Sequence, residues 1–503
     1  MVDPEALSRD ELIVVVRDQA AQLADQAVQL ADQAVELERL RVELEQIKRL
    51  ISRNSQNSSM PPSTDDLPGR VGKKGKAAGD QQQSGGQKRG RGKQPGAPGS
   101  HLPWLGEADV RVVDERPQGP CACGTDLAAA VDEGVASACQ VTDVPLATAS
   151  TVEYRMRRVR CGCGREHVAA APVQAGVANT RVYGANLRAL AVYLLIVQHV
   201  PVERCVRLIA DLAGAGVSAG FVHKILAAVA AAVAEVVKGI KMLITLAAVV
   251  HFDETTLRSG KAGATGYVWS ASTGRYTLYA LGRRNGKRFR DIGIGPGFAG
   301  VAVHDRYVVY DQAGNFAAGV RHQLCCSHLL RDLADAAETY PDHVWPIQCQ
   351  RALRGLIHAA NLARTAGHPE IDPTVRDELI GEFRDGVIVG RKDVPQVGSP
   401  RDKQPPARNL LEDLYHRHDD VMRFCYDTTI PPTNNLAERD LRPNKTQQKI
   451  SGRLTSDTAT TNRLTIRSYL STAVKHGTNA MTALHDAITG NPWTPPAARI
   501  VQP

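Results

Sequence analysis

From Arg53 to about His101 the chain is built of Gly, Ser, Gln, Pro, Lys and Arg, with few apolar side chains to bury. Such a composition cannot offset the entropy of ordering its own backbone, so it predicts a disordered linker. That limits everything else. The 503 residues must fold as separate bodies around the tract, roughly two to four of them at ordinary domain sizes. The tract is also cationic: "KKGK" spans Lys73–Lys76 and "KRGRGK" spans Lys88–Lys93. Lys88, Arg89, Arg91 and Lys93 are suited to gripping phosphates without reading sequence, and Arg89–Arg91 suits a narrow minor groove. A solvated linker has the same composition. The chain's formal net charge of +8 favours a polyanionic partner. Aromatic content of 5% argues against base stacking as the main binding mode.

Before the linker, "QLADQAV" occurs twice in succession, at Gln22–Val28 and Gln29–Val35. Leu23, Leu30, Leu37, Leu44 and Ile51 fall seven apart, which predicts a coiled coil and a dimer formed through it. A lone amphipathic helix packed on its own chain is the alternative. The first residues are acidic and have no basic n-region, so no secretory signal is expected. Ten cysteines in so long a chain suit a cytoplasmic protein with reduced or metal-bound thiols better than a disulfide scaffold. The apolar segment Ile225–Val250 is broken by Glu235, Lys238 and Lys241. It reads as helix then strand, with no membrane span.

After the linker come two close cysteine pairs, Cys121/Cys123 in "PCACG" and Cys161/Cys163 in "RCGCGREH". Four thiols in two pairs, each followed by Gly, point to a tetrahedral structural Zn²⁺ site. Cys139 and His167 are alternative ligands, and free cysteines are the plain alternative to a site. "STVEYRMRRVRC" alternates like an exposed strand and would present Arg155, Arg157, Arg158 and Arg160 to DNA. Val182 to about Leu243 reads as helix, "GAGVS" turn, helix, with Ser218 able to cap the second. That is a helix-turn-helix pattern, which many helical hairpins share.

The chemistry is expected further on. "AAVVHFDETTLRSG" is an apolar strand that ends on Asp253 and Glu254. Buried carboxylates are costly without a partner. "TGYVWSAST" and "RYTLYALG" predict two more strands joined by a short turn at Gly274, "RRNGKRFRDIG" a basic helix, and "GVAVHDRYVVY" a strand with Asp305 at its end. Adjacent strands would bring Asp253 and Asp305 together. "PPTNNLAERDLRPNKTQQKISG" reads as a helix capped by Asn434 or Asn435, with Glu438 near its first turn and Arg439, Arg442 and Lys445 flanking it. The long gap between Asp305 and Glu438 implies an inserted helical subdomain. Two aspartates and a glutamate offer hard oxygen ligands for Mg²⁺ or Mn²⁺. Two such ions suit in-line displacement at a phosphodiester. By spacing alone, surface or salt-bridged carboxylates fit equally well.

These stretches resemble the transposases of the IS66 family. "RNSQNSSMPPSTD", "GKQPGAPGSH", the cysteine segment and "HVPVERCVRL" carry the likeness before the strands. "HFDETTLR", "AVHDRYVVY", "CCSHLLRDL", "NNLAERDLRPNKTQQKISG" and "SYLSTAVKHG" carry it after. The resemblance implies an RNase H-like DDE catalytic domain with a helical insertion. Asp253, Asp305 and Glu438 match the family's acids and would hold two Mg²⁺ (or Mn²⁺). Arg306 stands where the family pattern has Gly, which suggests a tighter turn. His328 and Arg331 match a Cys-x-x-His-x-x-Arg feature and would support the site, as would Asn435; core packing is the alternative for the first two.

The expected fold is therefore a multidomain α/β chain. Its parts are a coiled coil (1–52), basic linker (53–104), zinc-ribbon-like cysteine module (105–172) and helix-turn-helix-like region (173–245). A mixed-sheet catalytic core (246–332 and 431–490) follows, interrupted by a helical insertion (333–430), and a tail (491–503) ends the chain. The implied function is DNA cleavage at an element's terminal inverted repeats and strand transfer into target DNA, with accessory proteins of the same element as further partners. A nuclease without strand transfer and a non-catalytic DNA-binding regulator are the alternatives.

Overall fold

The computed structural model describes residues 104–142, 148–171, 182–260, 265–399, 402–454 and 456–496, with Gln29 and Gln33. The heptad leucines and Lys88, Arg89, Arg91 and Lys93 lie outside the described residues. The chain divides into two compact units: Lys74–Ala149, and Met1–Lys73 with Ser150–Pro503. The division falls inside the expected 105–172 module, so Cys121 and Cys123 belong to one unit and Cys161 and Cys163 to the other.

The smaller unit has two 3-10 turns, Glu107–Asp109 and Leu127–Ala129. Asp126 starts the second by accepting the Ala128 N–H at 3.0 Å. In the larger unit, β1 (Arg158–Arg160) pairs antiparallel with β2 (Glu166–Val168). The expected strand over Ser150–Cys161 is thus confined to its last residues, because β2 offers only three partners.

Four helices follow: α1 (Ala185–Ile196), α2 (Val202–Ala213), α3 (Ala219–Ala232) and α4 (Ala234–Thr245). Gly214, at φ +63°, ends α2 in the left-handed conformation that glycine adopts without strain. Ser218 Oγ accepts the Phe221 N–H at 3.1 Å and starts α3. α3 turns Val222, Ile225, Leu226 and Val229 into the core and leaves His223 and Lys224 exposed. Among the described residues, no single helix is long and apolar enough to cross a membrane; α3 and α4 pass only as a pair, bent by 50°. The segment Ile225–Val250 is therefore two helices and the start of a strand.

The sheet contains β3 (Val249–Leu257), β4 (Gly266–Ser272), β5 (Thr277–Gly282), β6 (Val301–His304) and β7 (Arg321–Leu324). Its order is β5-β4-β3-β6-β7. β3, β4 and β5 are antiparallel, while β6 and β7 run parallel to β3. α5 (Gly286–Ile292) lies between β5 and β6 in sequence. β6 stops at His304, with Asp305 directly after it as expected, and the rest of "GVAVHDRYVVY" leads into a 3-10 turn at Val308–Asp311.

α6 (Cys326–Thr339), α7 (Trp345–Ala366), α8 (Pro373–Asp393), α9 (Pro406–His416) and α10 (His418–Tyr426) precede α11 (Asn435–Ser451), α12 (Asp457–Lys475) and α13 (Ala480–Ile488). The helices between β7 and α11 share a core around Trp345, Phe383, Leu411 and Phe424, joined by Leu324 and Val301 of the sheet. On α7 the buried Trp345, Cys349, Ala352, Leu356, Ala360 and Ala363 recur every three or four residues, one face of a helix.

Helices seal both edges of the sheet. An open edge leaves unpaired N–H and C=O groups. At β5, the N–H groups of Thr277 and Tyr279 donate to Thr472 Oγ1 (3.1 Å) and Ser468 Oγ (2.9 Å) of α12. At β7, Gln323 accepts the Phe424 N–H (2.9 Å), and Arg423 Nε donates to the His322 carbonyl (2.8 Å), both from α10.

Candidate active site

Strand geometry alone separates the two acids of "DET". Side chains alternate across a strand. His251, Asp253, Thr255 and Leu257 share one face of β3, and Leu257 packs there with Leu441 of α11 and Leu464 of α12. Phe252 and Glu254 share the other. Phe252 sits in an aromatic cluster with Phe289, Phe298 and Phe316. Full burial of each such ring is worth on the order of 2–3 kcal/mol, which anchors the strand that carries the acids. Glu254 is spoken for: Arg284 Nε (2.8 Å) and Tyr310 OH (2.6 Å) donate to its two oxygens.

Register brings Asp305 beside Asp253. β3 and β6 pair with Val249 opposite Val301 and His251 opposite Val303, an offset of 52 positions. Asp305 is 305 − 253 = 52 positions after Asp253. Asp253 therefore lies on β3 and Asp305 directly after the end of β6, the neighbouring strand, in matching order along the chain. Each has one oxygen fixed by backbone. Asp253 Oδ1 accepts the Glu254 N–H, and Asp305 Oδ1 accepts the Tyr307 N–H, both at 2.9 Å.

Glu438 comes from the first turn of α11. Asn434 sets that helix against the strand. Its Nδ2 donates to the Phe252 carbonyl (2.7 Å), its Oδ1 accepts from His251 Nδ1 (3.1 Å), and its N–H meets Cys325 Sγ (3.1 Å). Asn435, the expected supporting residue, is exposed at the helix start; its neighbour makes the braces. Arg439 and Arg442 are exposed and Lys445 is half-buried on α11, and none of the three makes an ion pair among the described residues.

His328 Nε2 and Arg331 NH2 each lie 3.9 Å from Glu438 Oε1. That oxygen is buried and has no hydrogen-bond partner. Burial, then the charges of Glu254, Asp305 and Glu438, hold the Asp253 carboxyl well above the usual carboxylate range, partly opposed by His328. Burial would lower His328, but the Cys325 thiol beside it prevails and lifts it to about 9. Cys325, His328 and Glu438 also place ligand atoms within 4.8 Å of one another, as do His304, Asp311 and His322. The second group is closed on itself. His304 and His322 share a 2.8 Å hydrogen bond, and Arg417 donates to Asp311 at 2.8 Å.

Arg306 follows Asp305, whose Oδ1 accepts the Tyr307 N–H. The arginine reaches out of the turn, pairing with Asp332 of α6 (2.7 Å) and Asp413 of α9 (2.5 Å). The residue after Asp305 is thereby tied to α6 and α9. Arg306→Ala should destabilise the chain by about 2 kcal/mol, because it removes the charge-assisted hydrogen bonds to Asp332 and Asp413. Urea unfolding checks this; a wild-type midpoint would show that the tie is idle.

The cysteine pairs form matching turns. Cys121 N–H donates to the Thr125 carbonyl and Gly124 N–H to the Cys121 carbonyl, both at 2.8 Å. Cys161 and Gly164 repeat the pattern with Arg165, at 2.7 and 2.8 Å. Gly124 (φ +91°) and Gly164 (φ +85°) supply the conformation such a turn requires. All four thiols are exposed and free. The Thr125 hydroxyl helps pull Cys123 down to about 7, and the Cys163 backbone lowers Cys161. Of the arginines expected to face DNA, Arg155 pairs with Glu153, and Arg158 and Arg160 pair with Glu166. Arg157 is exposed.

A mixed α/β sheet with carboxylates on one strand, just past the end of its neighbour and on a later helix defines a class of site before any family is invoked. Residues 180–462 match the family model described as Transposase IS66 family, and this is over half of the chain, so the chain belongs to that family. Residues 7–96 match a second model, a family of unknown function (DUF6444). No curated protein matches the chain.

Proposed function

We propose that this chain is the DNA transposase of a bacterial insertion sequence, acting through Asp253, Asp305 and Glu438 as a DDE set in an RNase H-like domain. The convergence of these acids carries the reading: Asp253 on β3, Asp305 just past the end of β6, each with one oxygen fixed by backbone, and a glutamate whose buried Oε1 has no hydrogen-bond partner. The mixed sheet, with one acid on β3 and another just past the end of the adjacent β6, supports the RNase H-like assignment. Carboxylates so gathered repel one another, and their free oxygens fit divalent cations of the Mg²⁺ or Mn²⁺ type. Bound there, two such ions would supply charge stabilisation at the attacking and leaving oxygens of a phosphodiester.

The chain's own residues prepare the place. Backbone N–H groups of Glu254 and Tyr307 orient the aspartates. Asn434 sets the height of α11 against β3, and with it Glu438. His328 and Arg331 stand behind Glu438 as positive groups. In the proposed reaction, water cleaves a phosphodiester at each element end, and the freed 3′-hydroxyl attacks target DNA. Each cysteine turn offers two exposed thiols that suit structural Zn²⁺, and metal analysis finding none in purified protein would remove that part. The N-terminal heptads would pair two protomers, and the basic linker, Arg155, Arg157 and the α11 cations would lie along DNA.

Purified protein, end-bearing DNA, a target plasmid and Mg²⁺ test the reading together. Joined products are expected. Cleavage without joining would favour a simple nuclease, and neither product would favour a DNA-binding regulator.

A further inference from the structure

Arg284 differs from the other cations of "RRNGKRFR". Its Nε and NH2 both reach one oxygen of Glu254, at 2.8 and 2.7 Å. The Glu254 side chain is only 2% exposed, and its other oxygen accepts from Tyr310. The guanidinium lies 3.8 Å from the Tyr307 ring centre and 5.9 Å from that of Tyr267. Tyr307 OH also donates to the Arg284 carbonyl at 3.1 Å. These contacts hold a side chain that is still 41% exposed. Its NH1 makes no hydrogen bond among the described residues.

The braces come from the neighbours of both aspartates. Glu254 follows Asp253, and Tyr307 supplies the N–H that fixes Asp305 Oδ1. Arg283 and Lys287, next to it in sequence, are exposed. We propose that Arg284 is a DNA-binding residue of the acid site, donating through NH1 to a phosphate oxygen of the strand that lies against Asp253 and Asp305. This rests on the reading of those acids as a DNA-cleaving centre.

The physical case has two parts. A guanidinium already held over a ring and paired with a buried carboxylate loses little freedom when a phosphate arrives. Pairing also neutralises Glu254, the acid beside the centre that no other cation meets among the described residues, so it does not repel the incoming polyanion. Glu254 thereby gains a task distinct from that of Asp253: it aims an arginine. A phosphate contact positions DNA and carries no sequence information.

The test is DNA binding by the full chain in Ca²⁺ instead of Mg²⁺, measured across a salt series. Arg284→Ala should weaken binding about tenfold, the scale of a charge-assisted hydrogen bond. The loss should be equal for end-bearing and unrelated DNA. The slope of log affinity against log salt should shrink by about 0.9, one phosphate contact. Arg284→Lys, which keeps charge but lacks the guanidinium, should fall between. Because Arg284→Ala leaves Glu254 buried and unpaired, the double variant Glu254→Gln/Arg284→Ala supplies the same comparison without that charge. Unchanged affinity and slope in the double variant would overturn the proposal, as would a loss confined to one DNA sequence. Asp253→Asn in the same assay separates the two claims. If it still cleaves in Mg²⁺, the acid-site reading fails. If it is inactive while the Arg284 variants bind as wild type, only the inference about Arg284 fails.

Discussion

Asp253→Asn is expected to abolish metal-dependent cleavage while making the metal-free protein more stable. Cleavage should fall by about 10³-fold or more, the scale of removing a central electrostatic group from an active site. Stability runs the other way. Burial and the neighbouring acids Glu254, Asp305 and Glu438 raise the folded-state value of this carboxyl. Between the ordinary value, about 3.9, and that raised value, the folded chain holds a proton that the unfolded chain has released. Stability therefore falls as pH rises through that window. Asparagine takes no proton, so the variant lacks this loss. Thermal melts without divalent metal should show the wild type losing more Tm than the variant as pH rises, and Mg²⁺ should raise Tm mainly in the wild type. A variant that cleaves at the wild-type rate, or melts with the same pH slope, contradicts the assignment.

Asn434→Ala should produce the second largest effect, on stability and activity together. Asn434 pairs a donor on His251 and the carbonyl of Phe252, both inside the fold. Burial lowers His251 to about 4, so at neutral pH it is an uncharged ring whose Nδ1–H loses its acceptor in the variant. Two stranded polar groups cost about 2–4 kcal/mol. α11 then sits less securely on β3, and Glu438 with it, so cleavage should drop about 10- to 100-fold, as when the groups that orient metal ligands are removed. Urea midpoints and single-turnover cleavage measure the two effects. Lost stability with wild-type cleavage would mean that Asn434 braces the fold without positioning Glu438.

Much of this site can be read from the strands. Asp253 and Asp305 each sit where an apolar run meets polar residues, and β3, β4 and β5 fall close to their expected places because alternation and a Gly turn mark them. What the residues could not show was register. That the offset between β3 and β6 equals the spacing of the two aspartates depends on pairing, which is a tertiary choice. β7 was missed because "RHQL" is short and does not alternate; its place is secured by Gln323 bonding to α10. "VVY" after Asp305 favours a strand by propensity, yet it closes a 3-10 turn that leads Tyr310 to Glu254. Asn434 was legible only as a helix cap, because its bonds reach across 182 and 183 positions. Glu254 was the hardest acid to place. Strand alternation puts it opposite Asp253, but only the side chains of Arg284 and Tyr310 show what it does there. The IS66 resemblance supplied the triad, and with it a Gly pattern at position 306 that this chain replaces by an arginine tied to α6 and α9.

The most direct test of the central claim, that these three acids form one metal centre, is a crystal structure of the full chain soaked in Mn²⁺, with its anomalous signal located. Density bounded by Asp253, Asp305 and Glu438, and lost in Asp253→Asn, is the expected result. Mn²⁺ held at His304, Asp311 and His322 instead, or no bound ion among the three carboxylates at saturating metal, would contradict it.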